Sequence, residues 1–211
     1  MNLESDNLFL QLTSPRRITD DELGEHIRRN MLRVLRHDKP ASGLRHDCFG
    51  FFKLDEFWKY TERQVGRLRD DIAERLELDL ETLIATEKVE IRSGKVRALY
   101  GHSLRGIIVG QLKWPEQTLL HATMWRYLEP IFELGLRCQS RSWVHLTTDQ
   151  AYADSLMNSQ IDNGPTVLLK IDPSLIDDEP VCFRQSNSHV WLATHIPPKA
   201  ISVVCQQTPK A

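Results

Sequence analysis

The spacing of apolar residues changes near residue 104, and this change constrains the possible folds more than any other feature of the chain. Before it, apolar residues recur every three or four positions, which is typical of amphipathic helices. After it, short runs rich in β-branched residues follow one another, with one well-defined helix between them. This order predicts an α+β fold in two parts, with the boundary in residues 101–117, where "LKWPEQ" forms a proline-containing connection.

The predicted parts are an N-terminal extension at 1–17, a helical domain at 18–103 and a strand-rich domain at 104–211. The helical domain opens with a capping box, in which Thr19 is followed three residues later by Glu22. Pro40 and Gly43 predict where the first helix ends. The apolar stripe of that helix consists of Leu23, Ile27, Met31, Val34 and Leu35.

Further helices and a hairpin follow. "FGFFKLDEFWKY" predicts a short turn or strand and a small helix, then a charged helix from about 61 to 76, and "DLETLIAT" predicts another short one. "KVEIRSGKVRA" alternates apolar and polar residues on both sides of a Ser-Gly turn, which indicates a β-hairpin. Three helices followed by a hairpin is the order of a winged-helix domain, a common nucleic-acid-binding fold.

The strand-rich domain contains six strand candidates and two helices. The helices are "MWRYLEPIFELG", ended by Gly135, and a stretch from about 148 to 157. The predicted architecture is an α+β or split-sheet domain. The strand candidates are "GIIVGQL", "TLLHAT", "WVHLTT", "TVLLKID", "HVWLAT" and "ISVVCQQ".

Composition narrows the class of protein. Hydrophobic residues make up 41% and charged residues 27% of the 211, and the net charge of −2 gives no global basic field, although a local basic patch remains open. The four cysteines are scattered, with no zinc spacing, no EF-hand and no HExxH motif, so we predict reduced thiols and no metal site. The first residues are not typical of a secretory signal and no apolar stretch approaches the roughly 20 residues of a membrane span, so we predict a soluble, cytoplasmic monomer.

Several polar clusters follow predicted strands or helices, where functional sites tend to form. Taken alone each is weak, since a single histidine is more often structural and a loop arginine more often solvated. Together they form a donor-rich pocket suited to a nucleotide or sugar, and Arg36, Arg141 and Lys88 form a phosphate clamp if they converge. The clusters are Arg36-His37, Gly101-His102-Ser103, His121-Ala122-Thr123 and Arg141 with His145 to Thr147.

At this point the sequence resembles the Tpt1/KptA family of NAD-dependent RNA 2′-phosphotransferases. Seven motifs occur in the family's order over roughly residues 18–204. They are "LRH" at 35–37, "D-x-x-G-F" at 47–51, "VRALYGHS" at 96–103, "LLHAT" at 119–123, "GL…R-x-x-VHLT" at 135–147, "VLLKID" at 167–172 and "F-x-x-S-N-x-x-VWL" at 183–192.

The resemblance implies a winged-helix, RNA-binding lobe and an ADP-ribosyltransferase-like, NAD-binding lobe. It also implies transfer of an internal RNA 2′-phosphate to NAD+, with nicotinamide, 2′-OH RNA and ADP-ribose 1″,2″-cyclic phosphate as products. The matching catalytic positions are Arg36, His37, Lys88 and Arg141. The matching positions of the NAD+ pocket are His102, Ser103, His121, Ala122, Thr123, His145 and Thr147, with Ser103 and Thr147 equally compatible with capping roles.

Two positions depart from the family pattern. Lys88 stands where the family usually has arginine, so it offers a point charge without the planar fork, which would slow the second step unless Arg92 or Arg97 compensates. Ala122 replaces the glycine of "HGT"; it costs on the order of 1 kcal/mol if that residue needs a positive φ, and otherwise narrows the space beside the nicotinamide.

Three functions are therefore compared. The first is the RNA 2′-phosphotransferase, for example on tRNA splicing junctions. The second is an ADP-ribosyltransferase that stops after the first step, on a nucleic-acid terminal phosphate or a protein, which the Lys88 substitution favours. The third is a non-catalytic RNA-binding module, against which the retention of Arg36, His37, His121, Arg141 and His145 argues.

Overall fold

The chain forms a mixed α/β structure with antiparallel sheets, seen in a computed structural model. The structure describes residues 19–37, 43–65, 72–104, 106–177 and 179–209. The predicted extension at 1–17 lies outside these residues, as does the segment after the first helix that contains Pro40. Within the described part of the chain, no helix is long and apolar enough to span a membrane.

The first helix, α1 (Asp20–Arg36), confirms the predicted start and stripe. The Thr19 hydroxyl accepts from the Glu22 backbone N–H at 3.2 Å, and the Glu22 carboxylate accepts from the Thr19 backbone N–H at 3.0 Å. All five residues of the predicted stripe are buried, and they pack on helices α2 (Leu54–Val65) and α3 (Ile72–Ala85). The helix ends at His37, whose backbone is extended.

Two predicted helix boundaries are wrong. Thr61 does not begin a helix but continues α2, because its buried hydroxyl donates to the Phe57 carbonyl one turn earlier, at 2.9 Å. Leu76 and "DLETLIAT" belong to one helix, α3, because Leu76, Leu80 and Leu83 are buried along a single stripe. Residues 66–71, between α2 and α3, lie outside the described part of the chain.

The hairpin is confirmed as β2 (Val89–Arg92) and β3 (Lys95–Ala98), with β1 (Phe52–Lys53) pairing on the other side of β3. Ser93 and Gly94 both have positive φ, 50° and 71°, as a two-residue hairpin turn requires. The three strands form a small antiparallel sheet against the helices.

A seven-stranded antiparallel sheet fills the second half, in the order β12-β8-β5-β7-β10-β9-β4. Five of the six strand candidates form strands over most of their length; the sixth, "GIIVGQL", contributes only its last two residues. The strands are β4 (Gln111–Leu112), β5 (Leu119–Met124), β7 (Val144–Thr147), β8 (Thr166–Ile171), β9 (Phe183–Gln185), β10 (Val190–Ala193) and β12 (Ile201–Gln207).

The two helices of this half also form, within narrower bounds than predicted. "MWRYLEPIFELG" divides into the end of β5, a 3₁₀ turn and α4 (Leu128–Leu134), which ends at Gly135 with φ 80°. The second helix is α5 (Gln150–Gln160). Strand β9 and a two-stranded pair, β6 (Leu136–Arg137) with β11 (His195–Ile196), had no counterpart in the sequence predictions.

Strands β7 and β10 lie between two hydrophobic clusters, one formed with the N-terminal helices and one in the second half of the chain. Trp191 and Ala193 of β10 face the core of the second half, whereas Val190 and Leu192 belong to the same cluster as the N-terminal helices. Leu104, Ile107 and Val109, from the segment where the boundary is expected, are also buried in that N-terminal cluster. The halves therefore share a packed interface, and the boundary itself stays a prediction.

Candidate functional site

Arg36 lies where the last turn of α1 meets the segment after β3. Its guanidinium carbon is 5.0 Å from the centroid of the Tyr100 ring, and its Nε is buried with no hydrogen-bond partner. Gly101 has φ 86°, and a Cβ at this position would lie 2.9 Å from Arg36 Nε. Only glycine fits this backbone conformation and this close approach, so Gly101 makes room for the Arg36 side chain.

The charge of Arg36 is poorly compensated. Burial lowers its pKa, the nearby tyrosines Tyr100 and Tyr152 oppose that shift, and the charge of Arg141 adds to it. Among the described residues, no acidic side chain forms an ion pair with Arg36. A partly buried guanidinium with an unpartnered, buried Nε is costly unless an anion binds it, so this position is suited to phosphate.

His37 is held beside Arg36 by Ser103, in the segment after β3. The Ser103 backbone N–H donates to the Arg36 carbonyl at 2.9 Å, and His37 Nδ1 lies 2.8 Å from the Ser103 hydroxyl. The His37 side chain is exposed. The structure thus gives Ser103 a direct role in orienting His37.

His121 and His145 lie where the large sheet splits. Strands β5 and β7 share a single register pair, Leu120 with Thr147, and beyond it the two strands separate. His121 Nδ1 bonds the His145 carbonyl at 2.8 Å across this gap, and since a carbonyl only accepts, Nδ1 carries the proton. The Gly101 N–H donates to His145 Nε2 at 2.9 Å, which connects the split to the Arg36 side of the site.

Both of these histidines are neutral at physiological pH. Burial lowers the pKa of His145 to about 3, and the charge of Arg141 and the nearby His121 lower it further. Burial also lowers the pKa of His121, again with a contribution from Arg141. With Nδ1 protonated, His121 keeps Nε2 as a hydrogen-bond acceptor.

Arg141 is exposed, and its loop is held against the segment after Gly101. The neighbouring Ser142 donates from its N–H to the His102 carbonyl at 3.1 Å and from its hydroxyl to the Leu104 carbonyl at 2.7 Å. Arg141 lowers the pKa of Arg36, His121 and His145, so its charge lies close to all three. Arg36, His37, His121, Arg141 and His145 thus lie together, as expected.

His102 and Thr147 are placed as structural residues. His102 is 2% exposed, and its Nε2 donates to the Ala98 carbonyl at 2.8 Å. Burial lowers the pKa of His102 to about 4, so the ring is neutral and fixes the turn that carries Gly101 and Ser103. Thr147 is 3% exposed, and its hydroxyl accepts from the Asp149 N–H at the start of α5. Their contact with a cofactor stays a prediction.

Ala122 and Thr123 lie on opposite faces of β5. The Ala122 methyl packs with Ala153 and Met157 of α5, whereas Thr123 shares the other face with His121. Ala122 lies in regular strand pairing with Leu168 and is not among the residues with positive φ. The expected backbone strain at Ala122 is therefore absent, and its methyl points away from His121 and Thr123.

Comparison with known proteins assigns the family. A model of the RNA 2′-phosphotransferase, Tpt1/KptA family matches residues 23–195. The chain belongs to this family.

Named relatives agree with this assignment. A protein of Acetivibrio thermocellus named probable RNA 2′-phosphotransferase is 38% identical over 180 residues, which cover 80% of this chain and 90% of the relative. Proteins with the same name from Bacillus thuringiensis subsp. konkukian and Pyrococcus abyssi are 31% and 28% identical. These two matches cover 81% and 79% of this chain, and 90% and 88% of the relatives.

Lys88, the departure from the Tpt1/KptA pattern, lies at the base of the hairpin. The Lys88 backbone N–H donates to the Leu83 carbonyl, and the Lys88 carbonyl accepts from the Leu99 N–H. Lys88 is therefore bonded to the residue directly before Tyr100. Among the described residues its ammonium has no ion pair or hydrogen bond. Arg97 does not replace it, because the Arg97 guanidinium is occupied by Glu90 and the Phe49 carbonyl. The four-residue clamp stays a prediction.

The turn before β10, residues 186–189, is bonded to the hairpin base, and we call it the latch turn. The Ser188 N–H and hydroxyl both donate to the Glu87 carboxylate, the former at 2.9 Å. Asn187 Nδ2 donates to the Glu87 carbonyl at 2.9 Å, and the Ser186 hydroxyl donates to the Leu99 carbonyl. The family motif "F-x-x-S-N" therefore joins the two halves beside Lys88.

Sequence reasoning missed two tyrosines and the latch turn. Tyr100 lies within the "VRALYGHS" motif, so an aromatic residue next to "GHS" was an available signal. Tyr152 on α5 had no such signal. Burial raises the pKa of Tyr100, and the nearby Tyr152 raises it further, so the Tyr100 phenol stays protonated beside Arg36. The His189 ring meets the Tyr152 ring edge-on, with centroids 5.2 Å apart.

Proposed function

We propose that the protein transfers an internal RNA 2′-phosphate to NAD+. The observation that carries the proposal is the Arg36 guanidinium, whose Nε is buried without a partner. It lies near the charge of Arg141, and no acid among the described residues pairs with it. A site with two arginines that no acid in the described part of the chain neutralises, and with a nearby histidine, is suited to a phosphate dianion. The relatives' shared name supplies the class of reaction and of substrate.

In the proposed reaction the RNA 2′-phosphate replaces nicotinamide on C1″ of the NAD+ ribose. The ribose 2″-hydroxyl then attacks phosphorus, and the RNA 2′-oxygen leaves with a proton. Negative charge builds on the phosphoryl oxygens during this second step, and Arg36 and Arg141 stabilise it. His37, with Nδ1 held by Ser103, is the residue placed to deliver a proton to the leaving 2′-oxygen.

The split between β5 and β7 is the proposed NAD+ site. Neutral His121 and His145 allow positive charge to develop at C1″ without electrostatic repulsion from the imidazoles themselves. His121 Nε2 and the Thr123 hydroxyl are on the same face of β5. His121 Nε2 can accept a hydrogen bond from a ribose or a carboxamide, and the Thr123 hydroxyl can donate or accept one. The donor set thus fits a dinucleotide.

The same proposal assigns a separate role to each of the two lobes. Residues 18–103 act as a winged-helix, RNA-binding lobe, and residues 104–211 act as an ADP-ribosyltransferase-like, NAD-binding lobe. The helices α1 to α3 followed by the β2–β3 hairpin support the first, and the split seven-stranded sheet supports the second.

Incubation of the protein with NAD+ and an oligonucleotide that carries one internal 2′-phosphate tests the proposal. We expect nicotinamide, the 2′-OH oligonucleotide and the cyclic phosphate of ADP-ribose in equal amounts. A stable ADP-ribosylated oligonucleotide would instead support the second candidate, an ADP-ribosyltransferase that stops after the first step, which Lys88 in the arginine position favours. Absence of nicotinamide release would overturn both.

A further inference from the structure

Helix α1 carries a row of basic residues along the side that faces away from the core. His26, Arg29, Arg33 and Arg36 are three, four and three residues apart, so they follow one another along one face of the helix. We call these four residues the basic face. The opposite side of the helix is buried in the N-terminal cluster by Leu23, Ile27, Met31, Val34 and Leu35.

The positive charge of this face is largely unbalanced. Arg29 and Glu25 are 3.3 Å apart, but their side chains are 67% and 57% exposed, so the pair contributes little. Arg33 is exposed and forms no ion pair within the part of the chain that the structure describes. Burial lowers the pKa of His26, and the charges of Arg29 and Arg33 lower it further, which shows that both guanidinium groups lie near its ring.

Helix stability does not account for the row. Basic residues stabilise the last turn of a helix through the backbone dipole, an effect that fades within one turn. It applies to Arg33 and Arg36 but not to Arg29 and His26. Like charges four residues apart, such as Arg29 and Arg33, instead destabilise a helix by a few tenths of a kcal/mol.

We propose that the basic face binds the sugar-phosphate backbone of RNA next to the nucleotide whose 2′-phosphate reaches Arg36. The inference rests on the proposed function, from which it takes the RNA. Two features favour this occupant: the face leads without interruption to Arg36, and four helical residues rise about 6 Å, which is comparable with the separation of successive phosphates along a strand. Exposed cations that contact phosphates set position and affinity without reading the sequence.

Salt-dependent RNA binding tests the proposal. Fluorescence anisotropy with a single-stranded 12-nucleotide RNA that carries one internal 2′-phosphate is measured between 50 and 200 mM salt. In Arg33→Ala we expect several-fold weaker binding and a slope of log Kd against log salt that is smaller by about 0.7 to 1. Arg29→Ala should do less, because Glu25 already offsets part of its charge. Alanine is the best helix former, so α1 stays intact.

Lys59→Ala is the matched control, because Lys59 is an exposed cation on α2 and not on the basic face. Its salt slope should equal that of the wild-type protein. An unchanged slope in Arg33→Ala, or an equal fall in Lys59→Ala, would overturn the proposal. Binding of an acidic peptide that depends on Arg33, without RNA binding, would assign the face to a protein partner and overturn it as well.

RNA length separates this inference from the proposed function. A nucleoside 2′-phosphate, the shortest such ligand, has no flanking phosphodiesters, so Arg33→Ala should bind it as well as the wild-type protein does. An equal loss on the nucleoside 2′-phosphate and the long RNA would show that Arg33 does not contact the flank. If the protein does not transfer phosphate but the long RNA still shows the Arg33-dependent slope, the proposed function is wrong and RNA binding by the basic face is supported. If phosphate transfer is intact and Arg33→Ala leaves the slope unchanged, the proposed function is supported and the basic-face proposal is wrong.

Discussion

The two sides of the candidate site differ in backbone and in charge. On the helix side, Arg36 and His37 come from the end of α1, and Arg36 has no acidic partner among the residues that the structure describes. On the strand side, His121 and His145 are held by backbone groups at the split of the sheet and stay neutral. Gly101 lies between them, in contact with Arg36 and bonded to His145.

This difference indicates a division of work. A charged group with an unsatisfied donor binds and stabilises an anion, whereas two neutral rings, each fixed by a hydrogen bond to the backbone, shape a site without adding charge to it. Changes on the helix side should therefore act mainly on activity, and changes on the strand side should act on stability as well. Four predictions follow this contrast, from the largest expected effect to the smallest.

Arg36→Ala should lower the rate of phosphate transfer by about a thousand-fold, because removal of one charged donor from a transition-state site typically costs 10²- to 10³-fold. Thermal stability should change little or rise, since a buried unbalanced charge is removed. Turnover of a 2′-phosphorylated oligonucleotide and a melting curve measure the two effects. A large loss of stability with near-normal turnover would place Arg36 among the structural residues and contradict the contrast.

Acid should destabilise the protein through two buried histidines, His145 on the strand side and His102 in the turn after β3. His145 and His102 have folded pKa values of about 3 and about 4, below the unfolded value near 6.5, so the unfolded state binds more protons in this range. Their neutral, buried state is not penalised above pH 6.5, and each histidine removes about 1.4 kcal/mol of unfolding free energy per pH unit as the pH falls below it. Urea denaturation at pH 7, 6 and 5 measures the slope.

The control for this pH series is an exposed histidine. His102→Leu should reduce the slope, whereas His46→Gln, on the surface of the N-terminal half, should leave it unchanged. Unfolding free energy that stays flat from pH 7 to pH 5 in the wild-type protein would show that neither His102 nor His145 is held neutral.

Lys88, at the base of the hairpin, belongs to neither side of the site, and its part in the phosphate clamp can be tested separately. If its ammonium completes the phosphate clamp, Lys88→Ala should slow the second step by about 10- to 100-fold and let ADP-ribosylated RNA accumulate. Lys88→Arg should restore a bidentate donor and speed that step. The ratio of intermediate to cyclic phosphate, followed over time, measures the effect. The same ratio in all three proteins would remove Lys88 from the clamp.

The latch turn should have the smallest effect. Ser188→Ala removes the hydroxyl bond to Glu87 but keeps the backbone bond, so we expect a loss of about 1 kcal/mol in unfolding free energy. Glu87→Gln keeps an acceptor and should cost less. Denaturant curves measure both. If Glu87→Gln destabilises the protein as much as Glu87→Ala does, the carboxylate matters for its charge and not as an acceptor.

Local features of this protein followed directly from the sequence. The capping box at Thr19 and Glu22, the turn at Ser93-Gly94 and the strands after residue 117 depend on spacings of two to four residues, which a single chain segment reveals. The wrong boundaries at Thr61 and Leu76 arose where charged residues obscured a helix that long-range packing maintains. The order of the seven motifs led to the family that the comparison assigned.

The site itself was only partly readable from the sequence. Arg36, His37, His121, Arg141 and His145 were expected together, and the structure places them together. What only the tertiary structure decided is which atoms face which: Arg36 over Tyr100, His121 on the His145 carbonyl, Ala122 against α5 and Ser188 on Glu87. The last contact joins residues 101 positions apart, and local periodicity says nothing about such pairs, because they depend on how the halves pack.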